Sequence, residues 1–138
     1  MTTKKGGLEK TTACAAMAGN LAFAGRRVLI IDGNPHEPFG IWSGSGRISD
    51  AISIVTVANS LEKAVAYGRA GFGETIIDLA AGASQMMLTA MALSEVVVLP
   101  MRLSTLDAIG VFETRDLCDE VARKIRRPSP VLAMLPWP

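Results

Sequence analysis

Three short aliphatic runs, apolar without alternation, set the narrowest limit on how this chain folds: Val28 to Asp32 (VLIID), Thr75 to Asp78 (TIID) and Glu95 to Pro100 (EVVVLP). A half-exposed strand alternates polar and apolar residues. A strand apolar on both faces has to be covered twice, as parallel strands between helices are. Ser53 to Val57 and Pro130 to Leu135 are weaker runs of the same kind. Between them lie stretches with helical spacing. Thr11 to Ala24 is alanine-rich, and Gly25 is placed to end it at the C′ position. Ser60 to Gly68 follows Asn59, with Glu62 at the capping-box position. Ser84 to Leu93 follows Gly82. Ser104, with Asp107 three residues on, opens a helix that reaches about Arg126 and stops before Pro128. This alternation predicts an α/β chain with a doubly wound, mostly parallel sheet flanked by helices.

A length of 138 residues suits a single domain, and residues 1–138 contain neither an internal repeat nor a linker. Gly40 to Gly46 and Gly68 to Gly73 are the most loop-like stretches. With 49% hydrophobic and 20% charged residues the chain is too apolar for intrinsic disorder. Fourteen basic against thirteen acidic residues leave a net charge of +1, so no whole-molecule field draws it to nucleic acid or anionic lipid. Cys14 and Cys118 sit in apolar stretches without metal or disulfide spacing, which predicts core thiols and a reducing, cytoplasmic setting. No run approaches the ~18 apolar residues of a membrane span. Met1 to Lys5 leads into glycines rather than an apolar segment, so no signal peptide is expected.

Lys5-Gly6-Gly7-Leu8-Glu9-Lys10-Thr11-Thr12 opens the first predicted helix. Glycines there let successive backbone N–H groups converge on an anion, with a helix N-terminus behind them. A lysine then reaches the terminal phosphates and a hydroxyl holds magnesium, the positions of Lys10 and Thr11. A glycine-rich turn without a ligand reads equally well from these eight residues alone. Asp32 and Asp78 close two of the strand runs, at the sheet edge where ligands of open α/β folds bind. The remaining features have plain readings. His36 is a solvated loop residue, and Met86, Met87 and Met91 are core filler. Arg123, Lys124, Arg126 and Arg127 form a solvated helix end, with a phosphate-backbone contact as the alternative. Trp42 either packs at an interface or roofs the core.

The block KGGLEKTT resembles the deviant Walker A motif of the ParA/MinD family of partition and positioning ATPases, KGGxGK(S/T)T. VLIIDGNPH (Val28 to His36) is similar to that family's switch I segment. ETIIDLAAG (Glu74 to Gly82) is similar to its Walker B and switch II segment, and VVVLPMRLSTLDAIG (Val96 to Gly110) to the strand and turn that follow. The resemblance covers nearly the whole chain. It implies ATP and magnesium as cofactors and a dimer that sandwiches two nucleotides. It implies catalytic roles for Lys5, Asp32 and Asp78, with Lys5 reaching the partner's nucleotide. Gly6, Gly7, Lys10, Thr11 and Thr12 would bind the nucleotide, and Thr11, Asp32 and Asp78 the metal. It also implies partners: a second copy or a ParA-type protein, a partition or adaptor protein, and, weakly given the charge, nucleic acid; no membrane.

The departures carry their own implication. Glu9 stands where the family has glycine, putting a Cβ and a carboxylate beside the phosphate site. One unit charge ~5 Å from each unit of phosphate charge costs about 3 kcal/mol at an effective dielectric of ~20. Asn34 replaces the second switch I acid, His36 the usual glutamine, and Ala80 and Ala81 the switch II prolines. Only Met1 to Lys4 precede the motif, where the family has a strand. At the other end the family continues well past the run ending at Leu135, and Ala133 stands about where a base-contacting asparagine is expected. The expectation is a trimmed ParA-like domain lacking the first strand and the C-terminal part. Two functions follow: an ATPase with impaired hydrolysis, or an inactive binding module that works through a protein partner or self-association.

Overall fold

The computed structural model of the chain describes residues 3–33, 39, 48–57, 60–79, 85–101 and 105–136. The elements run α1 (Thr3–Phe23), β1 (Val28–Gly33), β2 (Ile52–Thr56), α2 (Leu61–Gly71), β3 (Glu74–Leu79), α3 (Gln85–Leu93), β4 (Val96–Met101), α4 (Thr105–Ile125) and β5 (Val131–Pro136). They fall into two compact units, Met1–Gly82 and Ala83–Pro138.

In the first unit β1 is the middle strand of a parallel sheet ordered β2-β1-β3. Its residues Val28 to Asp32 are all buried, as the unalternating run predicts. Val28 and Ile30 point to the face covered by α1, in a cluster with Ala18, Phe39, Ile52 and Ile76. Leu29 lies on the other face, under α2. There a Cβ added at Gly68 would land on Thr75 Oγ1 and come within 3.1 Å of Leu29 Cδ2. Helices therefore cover both faces, which is the doubly wound arrangement.

Local chemistry sets the helix ends. Gly25 has φ +88°, Gly25 N donates to Ala22 O (3.0 Å), and Arg26 N donates to Leu21 O (3.0 Å). This pair of bonds ends α1 with the predicted glycine at C′. α2 starts one residue later than its predicted cap: Ser60, rather than Asn59, accepts from Lys63 N at 3.3 Å. Serine satisfies the same orphan donor, and Glu62 then falls in the first turn instead of the capping-box position. The α1–β1 turn is tied to the α2–β3 turn. Arg26 pairs with Glu74 (2.6 Å), Arg27 Nη1 donates to Gly71 O (2.9 Å), and the Arg27 guanidinium lies 4.9 Å from the centre of the Phe72 ring.

One expectation is corrected here. α1 begins at Thr3, so Lys5, Gly6, Gly7, Glu9 and Lys10 lie in helical backbone rather than in a cradling loop. Lys4, Lys5, Leu8, Glu9 and Lys10 are good helix formers, and two glycines oppose extension by only about 1 kcal/mol each. A helix nucleated over the alanine-rich stretch therefore runs through them.

The second unit pairs β4 with β5 in parallel, from Val96↔Val131 to Met101↔Pro136, and packs α3 against α4. Cys118 and Met91 are buried, and Met86 and Met87 half-buried, consistent with core roles. Arg123, Lys124, Arg126 and Arg127 are exposed at the end of α4. Lys124 pairs with Glu120 (3.3 Å), and Arg127 Nη1 donates to Ala92 O at the end of α3 (2.6 Å). Arg126 has φ +54°, with Arg126 N on Arg123 O (3.3 Å) and Arg127 N on Ala122 O (3.1 Å). Arginine here holds the left-handed position that Gly25 holds at the end of α1.

Two substitutions check these readings by urea unfolding. Gly68→Ala is expected to destabilise by about 1–3 kcal/mol through overpacking. Adding Thr75→Ala should recover most of the loss. Arg126→Gly is expected to stabilise by roughly 1 kcal/mol, because glycine has no Cβ to strain at positive φ.

Candidate functional site

The parallel register sets Asp32 of β1 beside Asp78 of β3, both near the carboxyl ends of their strands. They are the buried charged residues of the described chain, at 0% and 2% exposure. Even-numbered residues of these strands face α1, so both carboxylates sit beneath that helix. Two like charges ~5 Å apart repel by about 3 kcal/mol even at an effective dielectric of ~20, so the pair has to be held by donors or by a cation.

Both α1 and the main chain at Phe39 supply donors. Thr11 on α1 donates its hydroxyl to Asp78 Oδ2 (2.9 Å). Cys14, three residues on and hence on the same helix face, hydrogen-bonds to Asp78 as well. Phe39 N donates to Asp32 Oδ2 at 3.2 Å in a buried bond. No buried side-chain nitrogen or oxygen lacks a partner among the described residues. The surroundings push the Cys14 thiol far above the ordinary thiol range: burial contributes most, then the charge and hydrogen bond of Asp78, then the charge of Asp32. In this environment Cys14 is a protonated donor to Asp78. What remains for a cation is oxygen: one hydroxyl and two carboxylates, the donor set of a hard ion such as magnesium. These residues fit that ion by chemistry.

Of the residues singled out in the sequence, Thr11, Asp32 and Asp78 come together. Thr12, on the same helix, is exposed. Lys5, Gly6, Gly7 and Lys10 are placed only as positions of the α1 backbone. Asn34, His36, Trp42, Ala80, Ala81 and Ser104 lie outside the described residues. Cys14 and Phe39 join the site unforeseen. The three-residue spacing from Thr11 to Cys14 was a usable signal, whereas nothing in the sequence ties Phe39 to Asp32. A groove of about 420 Å³ lined by Val55, Ser60, Lys63 and Tyr67 opens between β2 and α2, at the outer strand and apart from the carboxylate pair.

Fold and site together define a ParA/MinD-like α/β protein. Residues 1–134 match the VirC1 protein family, and the chain belongs to that family. Protein ParA of Rhizobium radiobacter is 29% identical over 129 residues, which is 89% of this chain; the chain spans 58% of that protein's length. A cobyrinic acid a,c-diamide synthase from Mycobacterium smegmatis, solved with bound ADP and magnesium, has the same fold. It aligns at a TM-score of 0.71 with 20% identity, over 99% of this chain and 71% of its own.

The thiol environment has a measurable consequence. Folding keeps Cys14 protonated, so its contribution to stability is complete below pH 9.0, the ordinary thiol value, and declines as pH rises beyond it. The unfolded chain then gains by ionising and the folded one does not. The slope approaches about 1.4 kcal/mol per pH unit only once the unfolded thiol is ionised. Between pH 8 and pH 10 the parent should therefore lose about 1.4 kcal/mol in total relative to Cys14→Ala, measured by unfolding.

Proposed function

We propose that the chain is a ParA-like nucleotide-binding domain for plasmid or chromosome partition, or for positioning another cellular cargo, with impaired ATP hydrolysis. The observation that carries this reading is the buried Asp32–Asp78 pair with Thr11 donating to Asp78. It puts the hydroxyl and the two acids that the family motif uses at one sheet edge. The ParA relative and the ADP- and magnesium-bearing synthase of the same fold support it.

In this reading Thr11, Asp32 and Asp78 hold magnesium, which neutralises phosphate charge when bound. Gly6, Gly7, Lys10 and Thr12 bind the nucleotide, and Lys5 reaches towards a partner's nucleotide. Phosphoryl transfer is mainly positioning and charge neutralisation, and Glu9 opposes both by placing a carboxylate next to Lys10. Asn34, Ala80 and Ala81 remove further family groups, so turnover is slow. The working form is a homodimer or a heterodimer with a ParA-type protein in the cytoplasm, linked to a partition or adaptor protein. No helix among the described residues is long and apolar enough to cross a membrane.

The helical backbone over Gly6 and Gly7 favours a second reading. In it the domain hydrolyses nothing and acts as a binding module through its protein partner.

Calorimetry with ATP and magnesium separates the two. The first reading expects weak binding by the parent and up to about a hundredfold tighter binding by Glu9→Gly, as removal of that repulsion allows. Asp78→Asn should remove the magnesium dependence, and phosphate release should stay slow throughout. Silence from both the parent and Glu9→Gly would overturn nucleotide binding and leave the binding module.

A further inference from the structure

We propose that Phe39 is a positioning residue for Asp32: its ring is locked in the core of the first unit and its backbone N–H helps fix the carboxylate beside Asp78. The ring is 1% exposed and belongs to the cluster of Ala18, Val28, Ile30, Ile52 and Ile76. Its N–H meets Asp32 Oδ2 at 3.2 Å, seven residues back along the chain, in a buried bond. The two facts reinforce each other. A donor on a mobile segment would follow the carboxylate as it turned; a donor whose own side chain is packed under α1 cannot.

The need for such a donor follows from the register. Asp32 faces Asp78, and Asp78 already receives the Thr11 hydroxyl and the Cys14 thiol from α1. The Phe39 N–H opposes rotation of Asp32 away from that repulsion, and so helps hold the oxygen set for a cation together. Ala18 lies on the helix that carries Thr11 and Cys14, so the core cluster that seats Phe39 also seats the donors to Asp78. One apolar cluster thereby orients both acids. Phe39 touches neither cation nor nucleotide in this scheme.

The cation half of the inference rests on the proposed nucleotide site, whereas the hydrogen bond does not, and the test uses both. In the ligand-free protein, amide exchange at Phe39 is measured against Ile30 and Ile76, whose sheet amides report global opening. Protection is expected in the parent and in Asp32→Asn, whose side-chain oxygen still accepts. Asp32→Ala should exchange about tenfold faster or more at Phe39 after correction for global stability. Equal exchange in all three overturns the proposal, whatever binds.

The second measurement is Mn²⁺ affinity in the presence of ATP. Phe39→Leu, which keeps an apolar anchor, should bind like the parent. Phe39→Ala, which keeps the N–H but frees it, should weaken Mn²⁺ about ten- to a hundredfold, the range of lost ligand-orienting contacts. ATP binding without the metal should be unchanged. If Phe39→Ala does not fold, Phe39→Val supplies the intermediate anchor and an intermediate loss. Unchanged Mn²⁺ affinity in a folded Ala or Val variant overturns the proposal. No Mn²⁺ binding by the parent, with Phe39 protection lost in Asp32→Ala, upholds the positioning and overturns the nucleotide site.

Discussion

Two carboxylates placed side by side in an apolar sheet are what the rest of the first unit accommodates. Each would be costly alone, and together they repel. Parallel pairing puts them in register, and burial beneath α1 withdraws the water that would screen them. Among the hydrogen bonds that offset this are those from a threonine hydroxyl, a cysteine thiol and a main-chain amide. Keeping two like charges together in this way is poor design for stability alone.

The architecture was legible to the extent that burial dictates pattern. VLIID and TIID are apolar on both faces because helices cover both faces, and the strands formed where those runs lie. Gly25 announced the end of α1, since the left-handed turn there favours a residue without Cβ. The end of α4 was not announced in this way, because Arg126 takes the same conformation against its preference, and only Pro128 signalled the stop. The start of α1 was misread for a related reason. Two adjacent glycines suggest a loop, yet their cost is small beside the propensity of the lysines, leucine and glutamate around them.

Within the site, Thr11, Asp32 and Asp78 could be found because each stands at a motif position and at the end of a predicted strand or the start of a helical stretch. Cys14 looked like core filler, and it is half-buried; its bond to Asp78 depends on how α1 is rotated over the sheet, which composition does not encode. Phe39 was hidden more deeply. A main-chain donor carries no side-chain signature, so any residue type in that place could have made the same bond. What distinguishes phenylalanine is the depth of its anchor in the core.

The clasp formed by Arg26 and Arg27 bears on how the unit comes together in time. It joins positions 48 and 44 residues apart, and the Thr11–Asp78 bond joins positions 67 apart. The middle strand likewise needs β3, which is made much later in the chain, before its second edge is paired. Closing such long loops precedes any reward from the contacts they allow. A nascent chain that ends before β3 therefore holds one flank of β1 open, without the Arg26–Glu74 half of the clasp and without the carboxylate partner. The second edge of β1, the Arg26–Glu74 pair and the carboxylate pair are all completed only when Glu74 to Asp78 arrive.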